Sequence, residues 1–319
     1  MGGDTKGVVA SEKPGVGLPL WIAAAVVLFW VVPRPPETPR QLPEDVAAMQ
    51  RAAQFVVRDT KQWQEDHGDR SLAWEEADGH LAIVIDDVGR ELHLLEKLVS
   101  LRYRLTFSVL PGSVYATGAQ LRLGADRRRY REVMLHLPME PNASETMHEG
   151  DESQETFLLT TDDAQAIRAK TEAALDKVPA AVGLNNHMGS RLTADRAAMD
   201  AVMDVLRERE LFFLDSRTHH DTQGMVAAKS KGVPALARQV FLDHDPSAEA
   251  IAAQLDEAAR LSRKGPTVAI GHPSAEMYEV LATKLPELLE AGVAVYPLSH
   301  VLEHQLRGDA APASDSTQK

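Results

Sequence analysis

From His80 onward, short apolar runs alternate with longer amphipathic stretches. The apolar runs predict strands at Leu81–Ile85, Leu105–Val109, Val133–Leu135, Ala181–Leu184, Leu211–Leu214, Val268–Ile270 and Val293–Tyr296, with a weaker candidate at Val240–Leu242. The amphipathic stretches predict helices at Glu91–Ser100, Val114–Arg127, Thr161–Lys177, Thr193–Glu208, Ser247–Arg263 and Glu276–Glu290. Such alternation is typical of parallel strands joined by crossover helices. The pattern therefore predicts an α/β fold, a closed or nearly closed β/α barrel of about seven parallel strands.

The helix boundaries carry recognisable signals. Thr161, Thr193 and Ser247 are residue types that favour the N-cap, and Gly265 and Gly292 are suitable stops. No sequence repeat accompanies the alternation. We therefore expect one domain over residues 79–306, followed by a small, polar and disordered tail at 307–319.

An uncharged apolar segment, residues 16–32, predicts one N-terminal transmembrane helix. Trp21 and Trp30 lie near its ends, where indole rings favour the membrane interface. A cleaved signal peptide is the alternative, but prolines follow the segment directly where small cleavage-site residues would stand. We expect a cytoplasmic N-terminus at residues 1–15 and a single-pass anchor in the inner (cytoplasmic) membrane that leaves the domain extracytoplasmic, in the periplasm.

Residues 33–78 predict a linker between anchor and domain. Five prolines lie in residues 33–43 and favour an extended, semi-rigid spacer. Residues 44–63 have helical periodicity, with Val46, Met49, Ala53, Val56 and Val57 on one face. This amphipathic helix could bind a protein partner, which is one alternative to an enzymatic role.

Composition narrows the possible functions. The 319-residue chain has a formal net charge of −13, which argues against nucleic acid as a partner because phosphate binding needs lysine and arginine. It contains no cysteine, so disulfides and thiolate metal sites are excluded. Any metal must bind histidine, aspartate or glutamate.

Polar residues follow the ends of five predicted strands. The residues at these ends are Asp86 and Asp87, His136, His187 with Asn185 and Asn186 before it, Asp215, and His272. The carboxyl ends of parallel strands meet on one face, which is where β/α folds build their sites. We therefore expect these side chains to converge.

Imidazoles and carboxylates suit a hydrolysis assisted by a metal. They bind a divalent cation such as Zn²⁺ and leave a position for water, while a further carboxylate and a histidine can move protons. A serine triad is the competing mechanism, and the sequence has no G-x-S-x-G elbow to support it.

The motifs LAIVIDDVG, LTFSVLPG, LHLPME, NNHMGS, FFLDSRT and IGHP resemble the divergent polysaccharide deacetylase family across residues 79–306. The resemblance implies a deformed barrel with a zinc-type metal. It assigns Asp86 as catalytic base, Asp87 and His136 as metal ligands, His272 as catalytic acid and Asp215 as a supporting acidic residue.

The third metal ligand departs from the pattern of ordinary deacetylases. They carry a second histidine four residues after the first, where this chain has Glu140. Either Glu140 or His187 could complete the set, and we favour His187 because Pro138 and Pro141 oppose a helical pair. The usual arginine-containing motif is absent at residues 185–190, with Arg191 next to it.

These features predict a metal-dependent hydrolase that deacetylates an N-acetylated cell-envelope polysaccharide or peptidoglycan-type glycan. The alternative is an envelope protein that binds metal or glycan on the same fold without catalysis.

Overall fold

A parallel sheet of nine strands organises the described part of the chain, residues 68–125, 129–143 and 155–310 of a computed structural model. The strands are β1 (Gly79–Val88), β2 (Thr106–Val109), β3 (Glu132–Met139), β4 (Gly183–Met188), β5 (Phe212–Asp215), β6 (Ala235–Ala237), β7 (Val240–Phe241), β8 (Thr267–Gly271) and β9 (Val293–Val295). The order is β6-β5-β4-β3-β2-β1-β8-β7, and β9 also pairs with β1.

Eight helices lie in the same described residues. They are α1 (Leu92–Ser100), α2 (Ala116–Ala125), α3 (Ala164–Lys177), α4 (Arg196–Glu208), α5 (Gly224–Lys231), α6 (Ala248–Ser262), α7 (Ala275–Glu290) and α8 (Leu298–Ala310). Short 3-10 turns occur at Trp74–Glu76 and Leu192–Ala194.

The sheet is curled, because residues 238 and 239, which connect β6 to β7, pair with strands near its two opposite edges. Arg238, just after β6, donates its backbone N–H to Asp215 of β5, whereas Gln239 donates to Val268 of β8. All strand pairs are parallel, so their carboxyl ends share one rim. This curled half-barrel agrees with the predicted deformed barrel.

Alternation along β1 separates two apolar layers. Leu81, Ile83 and Ile85 pack against the helices outside the sheet. Ala82 and Val84 face the inside and pack in a cluster with residues of α8. Since side chains alternate along a strand, Asp86 continues the inner row and points into the curl.

The predicted strands and helices are present in the structure, which also contains elements that the pattern analysis missed. All eight strand candidates are confirmed, but β6, α5 and α8 were not predicted, and the strand count is nine rather than about seven. The helix cap at Ser247 is confirmed, because its side chain accepts from Ala250 N–H. For α3 and α4, however, the caps are Asp163 and Asp195 rather than Thr161 and Thr193.

Several predictions concern residues that the structure does not describe. The segment 16–32, the helix 44–63 and the end of the tail lie outside the described residues, while α8 continues to Ala310. Within the described ranges, no helix combines the length and apolar character needed to cross a membrane.

Candidate metal centre and active site

A polar cavity of about 660 Å³ opens at the carboxyl-terminal rim of the sheet. Five of the six predicted site residues line it: Asp86, Asp87, His136, His187 and His272. The strand-end pattern therefore brings together residues that are up to 186 positions apart in the chain, from Asp86 to His272.

A backbone irregularity brings both aspartates of β1 to this cavity. Neighbouring residues on a regular strand point to opposite faces. Asp87 instead has a left-handed φ of 54°, and the pairing of β1 with β2 shifts between Ile85 and Val88. Aspartate tolerates this conformation better than most residues. The irregularity lets Asp87 line the same cavity as Asp86.

Three side-chain atoms form a compact triangle in the cavity. Asp87 Oδ1 lies 3.2 Å from His136 Nε2 and 3.0 Å from His187 Nδ1. The two ring nitrogens are 3.2 Å apart. Ligands bonded to a tetrahedral zinc at roughly 2.0–2.1 Å lie about 3.3 Å from one another. The triangle is therefore close to the size that a divalent cation requires.

Unsatisfied polar atoms also fit a metal site. Asp87 Oδ1 is buried and makes no hydrogen bond within the described residues, despite the two nearby ring nitrogens. His187 Nε2 is also buried without a partner among them, but it is not one of the three atoms of the triangle. A buried carboxylate oxygen without a donor is costly, and a cation held by the three atoms would remove that cost.

The Asn185 side chain contacts both Asp86 and His136. Its amide donates to both oxygens of Asp86, at 2.9 and 3.0 Å, and its carbonyl oxygen lies 3.0 Å from His136 Nδ1. That oxygen can only accept, so the proton of the neutral His136 ring sits on Nδ1 and the Nε2 lone pair is free for a metal. Asn185 thus orients a candidate ligand and the candidate base together.

The electrostatics distinguish the two aspartates. Burial raises the pKa of Asp86, against the opposing effect of His136. Burial acts in the same direction on Asp87, but contacts with His136 and His187 outweigh it and hold the pKa of Asp87 well below its usual value. Asp87 therefore stays ionised, as a ligand must, whereas Asp86 is the more basic carboxylate.

His272 is paired with an aspartate that sequence reasoning missed. Asp243 accepts from the His272 backbone N–H at 2.7 Å, and its two oxygens lie 3.2 Å from the ring Nδ1. Burial opposes the charged ring, but Asp243, Asp87 and Asp86 together raise the pKa of His272 to about 9. His272 therefore carries a proton at neutral pH.

Asp243 directly follows the apolar run 240–242, so the strand-end pattern could have found it. That run was only a weak strand candidate. The strand-end position of Asn185 before His187 indicated a polar pocket, but its partners could not be predicted, because they lie in four other segments of the chain.

Glu140 and Arg191 pair with each other and not with the metal-site triangle. Glu140 Oε2 accepts from the backbone and hydroxyl of Thr160, and Oε1 lies 2.8 Å from Arg191 Nη1. Of the two alternatives for a third ligand, the geometry therefore favours His187.

The structure does not bring Asp215 into the cavity. Phe213 and Asp215 share the helix-facing side of β5, and a side chain at Gly224 in α5 would meet both. Asp215 accepts from Arg217 N–H at 2.9 Å and from the Thr222 hydroxyl at 2.9 Å. It therefore positions the loop after β5, and its predicted place beside the reacting groups is corrected.

Comparisons with known proteins agree with this architecture. Residues 83–302 match the model of the divergent polysaccharide deacetylase family. The uncharacterized protein YibQ of Escherichia coli K12 is 36% identical over 204 residues, which cover 64% of this chain and 61% of that protein. An uncharacterized Haemophilus influenzae protein is 34% identical over 67% of this chain and 74% of its own length.

Among solved structures, the uncharacterized protein ATU2773 of Agrobacterium tumefaciens has a TM-score of 0.61 at 20% identity. The match covers 75% of this chain and 94% of that one. At this identity the likeness concerns the fold alone. The family model, in contrast, spans more than half of the chain, and the chain therefore belongs to the divergent polysaccharide deacetylase family.

Proposed function

We propose that this protein is a metal-dependent hydrolase that removes acetyl groups from an N-acetylated cell-envelope polysaccharide. The observation that carries the proposal is the convergence of Asp87 Oδ1, His136 Nε2 and His187 Nδ1 within 3.2 Å of one another. Asp86 and His272 line the same cavity and supply the two proton-transfer groups that amide hydrolysis needs.

Asp87, His136 and His187 would hold the metal, and Zn²⁺ suits their nitrogen and oxygen donors. When bound, such a cation lowers the pKa of a water molecule and polarises the acetamido carbonyl.

Asp86 accepts the proton of the attacking water. Its raised pKa makes it a better base than an exposed carboxylate, and Asn185 holds both of its oxygens in place. His272, protonated through Asp243, donates a proton to the nitrogen as the carbon–nitrogen bond breaks. The products are acetate and a free amine on the sugar. Asp215 acts only by positioning the loop that follows β5.

The cellular location is part of the proposal and rests on sequence. Residues 16–32 anchor the chain in the inner membrane, and the proline-rich spacer holds the domain in the periplasm, near envelope glycans.

The test is acetate release from N-acetylglucosamine oligomers by the full-length chain loaded with Zn²⁺. We expect Asp86→Ala and His272→Ala each to lower kcat by about 10²–10⁴-fold, as for general base and acid groups. Asp256→Ala, which removes an exposed carboxylate on α6, is the matched control. Full activity after chelation of the metal would overturn the proposal.

A non-catalytic metal- or glycan-binding role is the second candidate. It is favoured by Glu140, which stands where ordinary deacetylases have a ligand and is engaged with Thr160 and Arg191. One bound Zn²⁺ with saturable glycan binding and no acetate release would select this function.

A further inference from the structure

The cavity has a positively charged wall that the proposed hydrolysis does not use. Arg217 and Arg238 line the cavity and also line a neighbouring groove of about 520 Å³. The other groove residues are Thr218, His219, His220 and Gln239, so no carboxylate is among its described lining residues. The two arginines therefore stand where the metal-site cavity continues into a cationic groove.

Arg238 is held in a fixed position. Its Nε donates to Ser216 O at 2.6 Å and its Nη2 to Arg217 O at 2.9 Å. The guanidinium also lies 4.8 Å from the centre of the Phe241 ring. Burial lowers the pKa of Arg238 and the nearby charge of Arg217 lowers it further, while Asp86 and Asp215 act in the opposite direction. The two cations are therefore close enough to repel each other.

Arg217 occupies a strained position. Its φ is 51°, in the left-handed region that glycine adopts readily and that other residues enter only with backbone strain. Asp215 fixes this conformation by accepting from the Arg217 N–H, and Asn186 accepts from the N–H of Ser216. In the described ranges, the exposed guanidinium of Arg217 has no hydrogen-bond or ion-pair partner.

We infer that Arg217 and Arg238 bind an oxyanion of the substrate, so that the acetylated glycan carries carboxylate or phosphate groups. This inference rests on the proposed function for the identity of the glycan. Two guanidiniums without a bridging carboxylate repel each other, and an oxyanion between them removes the repulsion while using their planar donors. The chain as a whole is acidic, with a net charge of −13, so this wall provides a local attraction for anions that the molecule as a whole does not.

The experiment measures glycan binding in the full-length, Zn²⁺-loaded chain carrying Asp86→Asn, so that turnover does not interfere. Calorimetry compares three oligomers of similar length: neutral N-acetylglucosamine, N-acetylglucosamine alternating with glucuronate, and phosphodiester-linked N-acetylglucosamine. We expect at least one anionic oligomer to bind tenfold or more tightly than the neutral one. The anionic oligomer that gains the affinity identifies carboxylate or phosphate as the recognised group.

Arg217→Gln changes only an exposed side chain and should remove most of this advantage. Adding Arg238→Gln should remove the rest, whereas Arg260→Gln, at an exposed position on α6, should leave it intact. Equal binding of all three oligomers, no binding of either anionic oligomer, or an unchanged preference in the Gln variants overturns the inference. An anionic preference without acetate release by the wild-type chain would refute the hydrolysis and leave the inference standing.

Discussion

At the scale of single residues, the candidate site depends on Asn185 as much as on the groups that would do chemistry. Its side chain contacts Asp86, Ser108, His136 and Ser216, which come from four separate segments. The contacts with Asp86 and His136 orient the candidate base and a candidate metal ligand. A residue that orients a ligand is therefore expected to affect both metal affinity and rate.

Asn185→Ala tests this role. The substitution removes the acceptor that faces His136 Nδ1 and the amide donors of Asp86, so we expect Zn²⁺ to bind about 10–100-fold more weakly. Competition with a chelating dye measures the Kd, and a thermal melt shows whether the variant is folded. A folded variant with the wild-type Kd would contradict the role of Asn185.

The pair of Asp243 and His272 predicts a pH dependence. Because the pKa of His272 is raised to about 9, the ring is protonated below that pH and loses its acid form above it. A bound cation repels the imidazolium, so the alkaline fall in kcat should lie below 9 in the loaded protein. Asp243→Asn removes the stabilising charge and should move that fall to lower pH still. An unshifted pH–kcat profile would exclude His272 as the acid.

The same pair affects stability in a defined direction. A histidine whose folded pKa exceeds its unfolded value of 6.5 stabilises the fold fully below that value, and the contribution disappears as pH rises through about 9.

The sequence identified which residues could bind a metal, but not which side chains they would contact. Asp87, His136 and His187 were predicted as ligands because each comes at the end of an apolar run that forms a strand. Asp215 also follows an apolar run, yet its side chain lies on the helix-facing side of β5, away from the cavity. The face of a strand-end residue depends on local backbone geometry, such as the left-handed turn at Asp87, which spacing does not encode.

At the scale of elements, strong periodicity identified the main strands and helices. Two of the missed elements, β6 and α5, are short and lack a continuous apolar face, whereas α8 has Leu298, Val301 and Leu302 at helical spacing and its pattern was overlooked. β6 has three residues, and α5 has eight, with small and charged residues in place of an apolar stripe. These elements form because β5 offers an edge for β6 and because Asp215 and Thr222 hold the start of α5.

The helix caps show the same limit of local signals. Thr193 was a plausible cap, but its hydroxyl donates to Gly189 O at 2.7 Å within the turn that precedes α4. Asp195 caps the helix instead and accepts from Ala198 N–H.

Asp195→Ala should therefore destabilise the domain by about 1 kcal/mol, the usual cost of losing an N-cap. Urea unfolding followed by circular dichroism measures the change. Asp195→Asn keeps an acceptor and should retain most of the stability, and Thr193→Ser keeps the hydroxyl as a further control. Wild-type stability in Asp195→Ala would show that the cap was assigned to the wrong residue.

At the scale of the whole molecule, the curled sheet brings distant strand ends to one rim. β1, β3 and β4 are neighbours or near neighbours in the sheet order, so their terminal residues meet although the chain between them is long. The alternation of elements predicted this class of fold. It could not predict that β6 and β7 would join the two edges through Arg238 and Gln239, because that depends on how far the sheet curls.

Metal should stabilise the whole domain. A ligand that binds only the folded chain raises its stability, by about 2.7 kcal/mol at a concentration one hundred times its Kd. We therefore expect Zn²⁺ at that excess to raise Tm, and chelation to reverse the rise. His187→Ala removes a ligand and should abolish the shift, whereas His93→Ala, at an exposed position on α1, should retain it. The same rise in both variants would mean that the metal binds elsewhere.

The most direct test of the metal centre is a crystal structure of the Zn²⁺-loaded protein, with anomalous scattering recorded at the zinc edge. We expect one strong peak bonded to Asp87 Oδ1, His136 Nε2 and His187 Nδ1. A peak bonded to Glu140 without His187, or no peak in the cavity at saturating Zn²⁺, would contradict the site.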